Sequence, residues 1–211
     1  MSSGEPQALL IFPCNGNGLE ALDCLGECYR CVGFVDDAPE KQGKRSAGLP
    51  ILTRAALAEA PEAAVLAVPG SPDSYRVRRG VIEGLAIDAK RFARVVHPAA
   101  SVSPLASIGH NVLIMAGVVI TSNAVIGDHV CILPNTVIHH DVVVGDWSLV
   151  GSNVTLAGGA VVEENCYVGS GTRIKNGVRV GAGALVGLGS NVLRNVAAGT
   201  TVAGNPARPL A

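Results

Sequence analysis

From Val102 to Val192 every sixth residue is valine, isoleucine or leucine: Val102, Ile108, Ile114, Ile120, Ile126, Ile132, Ile138, Val144, Val150, Leu156, Val162, Val168, Ile174, Val180, Val186 and Val192. An α-helix repeats every 3.6 residues and a strand every two, so neither imposes this beat; a coil built from six-residue sides does. The fifth residue of the hexads is mostly small or β-branched, as at Ala106, Val118, Thr136, Ser148, Ala160 and Thr172. Glycine often follows the aliphatic residue (Gly109, Gly127, Gly145, Gly151, Gly169, Gly181, Gly187), which suggests corners that need unusual backbone angles. Three hexads close an 18-residue triangular coil in which residues i and i+18 stack about 4.8 Å apart. The run therefore predicts a little over five coils and about 25 Å of prism.

The first half has a different rhythm. Ala8–Phe12 reads as a short buried strand, followed by the turn Pro13-Cys14-Asn15-Gly16-Asn17-Gly18 and a helix from Leu19 to about Tyr29. Cys31–Val35 is a second strand ending in Asp36-Asp37, and Thr53 caps a short helix. Ala63–Val68 is a third strand, Ser71 and Pro72 open a helix to about Glu83, and Phe92–Val96 is a fourth strand. This order predicts a small parallel sheet with ligands at the carboxyl ends of its strands. His97-Pro98 breaks the pattern, giving a unit over residues 1–96 and a prism with a C-terminal tail over 97–211.

A net charge of −1 gives no global field for nucleic acid or an anionic membrane. No apolar run approaches the 18 residues of a membrane span, and Met1–Gln7 lacks a basic leader, so a cytoplasmic protein is expected. Six cysteines are too sparse for a disulfide scaffold in a chain of 211 residues. Cys24, Cys28 and Cys31 have no second Cys/His pair nearby and read better as buried free thiols than as metal ligands.

The hexads resemble the left-handed parallel β-helix of hexapeptide-repeat acyltransferases, and Ala203-Gly204-Asn205-Pro206-Ala207-Arg208 is similar to that superfamily's C-terminal signature. The left hand comes from the resemblance, because the general preference for right-handed crossovers argues the other way. With the small Rossmann-like α/β unit in front, residues 8–208 resemble bacterial sugar acetyltransferases, including bacillosamine-pathway, perosamine and sialic-acid members. The resemblance implies acetyl-CoA as donor, a nucleotide-sugar acceptor and a homotrimer.

All five histidines lie at or beyond residue 97. Acyl transfer from a thioester to an amine or hydroxyl needs a base for the acceptor's proton, and an imidazole suits that task near neutral pH. The stretch Ile138–Asp146 matches the family's catalytic segment, which makes His140 the base and Asp141 its carboxylate partner. His139, on the opposite side of an extended chain, is assigned no catalytic role. Where the family often has a second histidine on the cofactor, this chain has Leu149, so a polar contact to the thioester must come from backbone N–H. One coil below His140 is Ser122 and one coil above is Gly158, whose missing side chain leaves room for a pantetheine arm.

The resemblance also implies cofactor contacts near Gly158, Ser170 and Leu188, with Ser170 and Leu188 expected on the face after that of His140. One subunit cannot easily present both faces to one ligand, so the groove between subunits is the expected site. No Lys or Arg occurs from Val102 to Thr172; Arg173, Lys175, Arg179, Arg194 and Arg208 then form a basic end able to meet coenzyme A phosphates. For the acceptor, Asn15, Gly16 and Asn17 offer backbone N–H groups to a phosphate. Asp36 and Asp37 resemble the family's pair at the nucleotide's base or ribose, and Gly70 completes the crevice.

The favoured function is N-acetylation of a nucleotide-linked amino sugar for surface polysaccharide, with O-acetylation of a sugar hydroxyl, as on a sialic acid, as the alternative. A non-catalytic β-helix, or a metal scaffold like a γ-carbonic anhydrase, is a third reading. The metal version needs three converging histidines, and His110, His129 and His140 are not spaced by 18.

Overall fold

A computed structural model describes residues 5–210; Met1–Gly4, part of the Met1–Gln7 stretch in which a basic leader was sought, and Ala211 of the tail lie outside the described residues. The hexads form a three-sided parallel β-helix. Its first face stacks the strand pairs at 101–102, 119–120, 137–138, 155–156, 173–174 and 191–192, and its second those at 107–108, 125–126, 143–144, 161–162 and 179–180. The third face runs from 94–96 through 112–114, 131–132, 149–150, 167–168 and 185–186 to 201–204. Register is i to i+18, as in Val119↔Val137 and Val125↔Val143, until the last coil shortens to 16 between Val192 and Val196, giving Val180↔Val196 and Leu185↔Thr201.

The sixth-residue aliphatics point inward into one continuous core, most of them fully buried from Ile114 onward. The fifth position points inward too. Where it is polar, its hydroxyl seals the adjoining corner: Thr136 Oγ1 donates to the Gly151 carbonyl at 2.7 Å and accepts from Val154 N at 3.1 Å. Ser148 does the same between the Glu163 carbonyl and Cys166 N. Each pairing removes an otherwise unmet polar group from the core.

The glycines after the aliphatics differ from expectation. None of Gly109, Gly127, Gly145, Gly151, Gly169, Gly181 and Gly187 takes a positive φ. They are glycines because the next coil leaves no room: a Cβ on Gly169 would lie 2.5 Å from Leu188 N. The left-handed conformation falls instead three residues after the aliphatics from Ile108 to Val186, at Asn111, Gly117, Asn123, His129, Asn135, Asp141, Trp147, Asn153, Gly159, Asn165 and onward to Gly189. Asn and Gly tolerate that region best. Asp141, His129 and Trp147 are departures from that rule.

The first half is a five-stranded sheet in the order β3-β4-β2-β1-β5, with β1 Gln7–Phe12, β2 Tyr29–Val35, β3 Arg45–Ser46, β4 Leu49–Leu52 and β5 Ala64–Ala67. All pairings are parallel except β3 with β4, a hairpin the sequence reading missed. The helices are shorter than expected. The helix assigned to Leu19–Tyr29 is α1 Gly16–Glu20 followed by a 3-10 turn over Ala21–Cys24, and Gly26 (φ +56°) precludes its continuation. The Ser71–Glu83 helix is a 3-10 turn, Tyr75–Val77, leading into a helix at Arg78–Glu83, because Ser74 Oγ takes the Ser71 N–H at 3.0 Å. Thr53 does not cap Ala55–Glu59 through its side chain; Arg54 is the N-cap residue.

The fourth strand is a further correction. Only Phe92 bridges to β5, at Val65, while Arg94–Val96 pairs with Val112–Ile114 and opens the prism's third face. That face is covered by the sheet: Leu113, Met115, Cys131 and Leu149 are buried in one cluster with Leu9, Ile11, Phe34, Leu66 and Val68. A polar column seals the same junction. Asn111 is fully buried and bonds both Ala67 N and Ala67 O, at 2.7 and 2.9 Å, and its Nδ2 lies 3.0 Å from His129 Nδ1. The His129 ring stacks on Trp147 with centroids 3.8 Å apart and meets Phe92 edge-on. Arg78, buried on all sides, donates from Nε to the Pro69 carbonyl at 2.8 Å and from its terminal nitrogen to the His129 carbonyl.

Two outcomes follow from this packing. Gly169→Ala forces coils apart and is expected to cost about 1–3 kcal/mol in a urea titration, whereas Asn153→Gly, which keeps a left-handed corner, changes it little. Burial and then the Arg78 charge push the His129 imidazole down to about 4. The unfolded chain therefore binds a proton near the ordinary 6.5 that the native state refuses, so stability is full above pH 6.5 and falls toward pH 4. His129→Asn, which accepts the same backbone conformation, is expected to flatten that part of the melting-temperature profile relative to the parent protein.

Candidate active site

His140 and Asp141 occupy the corner that joins the first face to the second, just after the strand Val137–Ile138. Asp141 takes φ +60°, and its carboxylate meets the neighbouring ring: His140 Nδ1 to Asp141 Oδ2 is 2.7 Å. The imidazole beside it and the Asn123 amide below it hold the Asp141 carboxyl under the usual carboxylate range. An ionised Asp141 accepts the Nδ1 proton, which leaves the lone pair of His140 on Nε2. That nitrogen lies against bare backbone, since a Cβ on Gly158 would be 2.5 Å from it. Both side chains are more than half exposed, at 63% and 56%, so this corner is uncovered in a single chain.

His139 shares the corner and is also exposed. The Asp141 carboxylate bonds the His140 ring. Leu149 is buried under the sheet and has no polar group to give. The metal reading finds no support in the placement of the histidines. His110 and His129 share one corner and His140 another, and the His129 ring is enclosed between Phe92 and Trp147.

Ser170 and Leu188 do stack on one another, but at the corner joining the third face to the first, two sides beyond His140 along the winding rather than one. Both are exposed, Leu188 at 80%. Among the basic residues, Lys175 lies two coils above His139, and Arg194 falls at the same corner of the last coil, where the winding shortens by two residues between Val192 and Val196. Arg179 is paired with Glu163 at 2.7 Å.

The acceptor residues divide into two groups. Asn17 and Gly70 line one cleft of about 200 Å³ with Ser71 and Pro72, floored by Cys131, Leu133, Leu149, Val150, Gly151 and Tyr167. These loops follow the adjacent parallel strands β1 and β5; β2 lies on the other side of β1, so the cleft sits where the strand order reverses, the place where open parallel sheets bind ligands. Asn15 instead caps α1, accepting from Gly18 N at 2.8 Å, and Gly16 is exposed at the start of that five-residue helix. Asp36 is not in the cleft. It is 4% exposed, and its carboxylate accepts from Cys14 N, Ala38 N and Lys41 Nζ at 2.9–3.0 Å, fixing the turn after β1. Asp37 forms a two-point pair with Arg54.

Sequence reasoning missed the cleft's apolar floor, whose residues it had seen only as repeat positions. It also missed Asn123, which the 18-residue rule places directly under Asp141. Nothing in the sequence marked Arg78. Gly158→Ala is expected to displace the His140 ring and lower turnover at least about tenfold with the melting temperature nearly unchanged, because Gly158 itself has an ordinary φ.

Residues 93–201 match the family model described as the GMPPB C-terminal domain. Among curated proteins none matches. Among solved structures, PerB from Caulobacter crescentus in complex with CoA and GDP-perosamine is similar at 27% identity over all of both chains, with a TM-score of 0.84. The acetyltransferase domain of PglB from Neisseria gonorrhoeae, in complex with acetyl coenzyme A, is 27% identical over 98% of this chain and 100% of that one, again with a TM-score of 0.84. WeeI from Acinetobacter baumannii, at 24% identity over 97% and 99% with a TM-score of 0.83, shares the fold. With just over half its length matched by the family model, the chain belongs to the GMPPB C-terminal domain family, and its kinship over the whole length is with the sugar acetyltransferases of the hexapeptide-repeat superfamily.

Proposed function

We infer that the protein is an acetyl-CoA-dependent N-acetyltransferase acting on the amino group of a nucleotide-linked amino sugar, with His140 as general base. The observation that carries this is the His140–Asp141 contact at 2.7 Å beside the bare backbone of Gly158. PerB, whose structure holds CoA and GDP-perosamine, is similar over the whole chain. His140 Nε2 takes the proton of the amine as its nitrogen attacks the thioester carbonyl, and Asp141 stabilises the imidazolium that forms. Collapse of the tetrahedral intermediate expels the coenzyme A thiolate, which the imidazolium can reprotonate. The oxyanion is met by backbone N–H at the coil corner, since Leu149 offers nothing polar.

The division of labour in this reading follows the two units. The Rossmann-like unit, residues 1–96, holds the nucleotide sugar in the cleft of Asn17 and Gly70, with Asn15, Gly16, Asp36 and Asp37 shaping the surrounding turns. The left-handed β-helix, residues 97–211, supplies the base. The cleft opens at the third–first corner and His140 stands at the first–second corner, with a whole face between them. A homotrimer answers this separation: His140 of one subunit faces the cleft, Ser170 and Leu188 of the next, and coenzyme A lies in the groove between them. Lys175 and Arg194 then stand up the His140 corner toward the coenzyme's phosphates. Val125 and Val143 on the second face, 43% and 37% exposed, are the apolar surface such an assembly covers. No helix among the described residues is long and apolar enough to cross a membrane. The cytoplasm, which holds acetyl-CoA and nucleotide sugars, is the location this reading implies.

The test is release of the coenzyme A thiol from acetyl-CoA with UDP-, GDP- and CMP-linked amino sugars, with the acetylated atom located by mass spectrometry. One acceptor is expected to be N-acetylated, and His140→Ala to lose about 10²–10⁴-fold in kcat. Indifference to every acceptor, or an undiminished His140→Ala variant, refutes the assignment. Co-assembly of His140→Ala with Ser71→Trp, each inactive alone, is expected to restore turnover if the site is shared between subunits.

A further inference from the structure

The carboxylate that faces His140 is itself held from below. Asn123 lies one coil beneath Asp141, and both take the left-handed conformation, at φ +59° and +60°. Asn123 Nδ2 donates to Asp141 Oδ1 at 3.1 Å while Oδ2 accepts from His140 at 2.7 Å, so each carboxylate oxygen has its own donor. The backbone ties the same two levels together, with Asp141 N donating to the Ser122 carbonyl at 3.0 Å. At the second–third corner the amides of Asn111 and Asn165 reach the docked sheet and the segment at Arg76; here the amide touches the His140–Asp141 pair.

We propose that Asn123 is a positioning residue for acyl transfer: it fixes the rotation of the Asp141 carboxylate, which keeps Oδ2 on His140 Nδ1 and the lone pair on Nε2. The inference rests on the reading of His140 as general base. Asp141 is 56% exposed, so without the amide its carboxylate is free to turn toward water. The ring then loses its orienting partner, and a larger share of the imidazole carries its proton on the wrong nitrogen.

Asn123→Gly removes the amide and keeps the left-handed corner, so folding is preserved. It is expected to lower kcat about three- to tenfold with the KM of both substrates unchanged, the pattern of a lost transition-state interaction. In an Asp141→Asn background the same substitution is expected to change kcat by less than about 1.5-fold, because the group it orients is gone. Asn123→Asp, also tolerant of this backbone, places a second negative charge at the pair and is expected to move the acid limb of the kcat/KM profile to higher pH. An unchanged kcat in Asn123→Gly, or an equal loss with and without Asp141, overturns the proposal. The control is His140→Ala: an active His140→Ala enzyme refutes the general-base reading itself, whereas an inactive one beside a fully active Asn123→Gly refutes only the role of Asn123.

Discussion

Everything in the prism depends on coils stacked about 4.8 Å apart and hydrogen-bonded from residue i to i+18. That spacing turns the chain into columns, and a column, not a sequence neighbourhood, sets what each residue can be. Inward columns take aliphatics and small hydroxyls that close their own hydrogen bonds. Columns pressed against the next coil take glycine, for lack of space rather than for backbone freedom. The left-handed columns take asparagine or glycine, and they are the places where a side chain can be projected from a corner without disturbing the core.

Two of those corners have been put to opposite uses. At the second–third corner the left-handed column holds Asn111, His129, Trp147 and Asn165, and it receives the sheet and the segment around Arg78. Here the departures from Asn and Gly serve docking, with a stacked ring pair and a buried guanidinium spanning the junction. Burial lowers the Arg78 guanidinium to about 10, and backbone carbonyls rather than a carboxylate are its partners. At the first–second corner the column is Asn123, Asp141, Gly159 and Gly177, and among the described residues nothing covers the His140 and Asp141 side chains there. The same geometry that makes a dry joint on one side makes a solvent-facing His–Asp pair on the other.

The sequence made the prism legible because its core is one-dimensional: each coil buries its aliphatics against the coil above and below, so a local period encodes the tertiary contact. His140 and Asp141 were legible for a related reason, being adjacent in sequence and therefore adjacent in space whatever the rest of the chain does. The first half was read less well. Its helices are only five or six residues long and are held by packing, so periodicity overstated them. The strand at Arg94–Val96 was given to the wrong sheet, because a short apolar run does not say which edge it joins.

The acceptor residues show the limit most clearly. Asp36 and Asp37 look alike in sequence, yet one is buried beneath three donors and the other pairs with Arg54 at the surface. What separates them is the approach of Cys14 and Lys41, which no local pattern announces. By itself the sequence determined the six-residue sides, the 18-residue stacking and the adjacency of His140 and Asp141, all of which depend on neighbours at fixed separations. Only the tertiary structure decided which face the sheet covers, which loops make the cleft and which of the two carboxylates is buried, since those follow from contacts between segments whose separation in sequence carries no period.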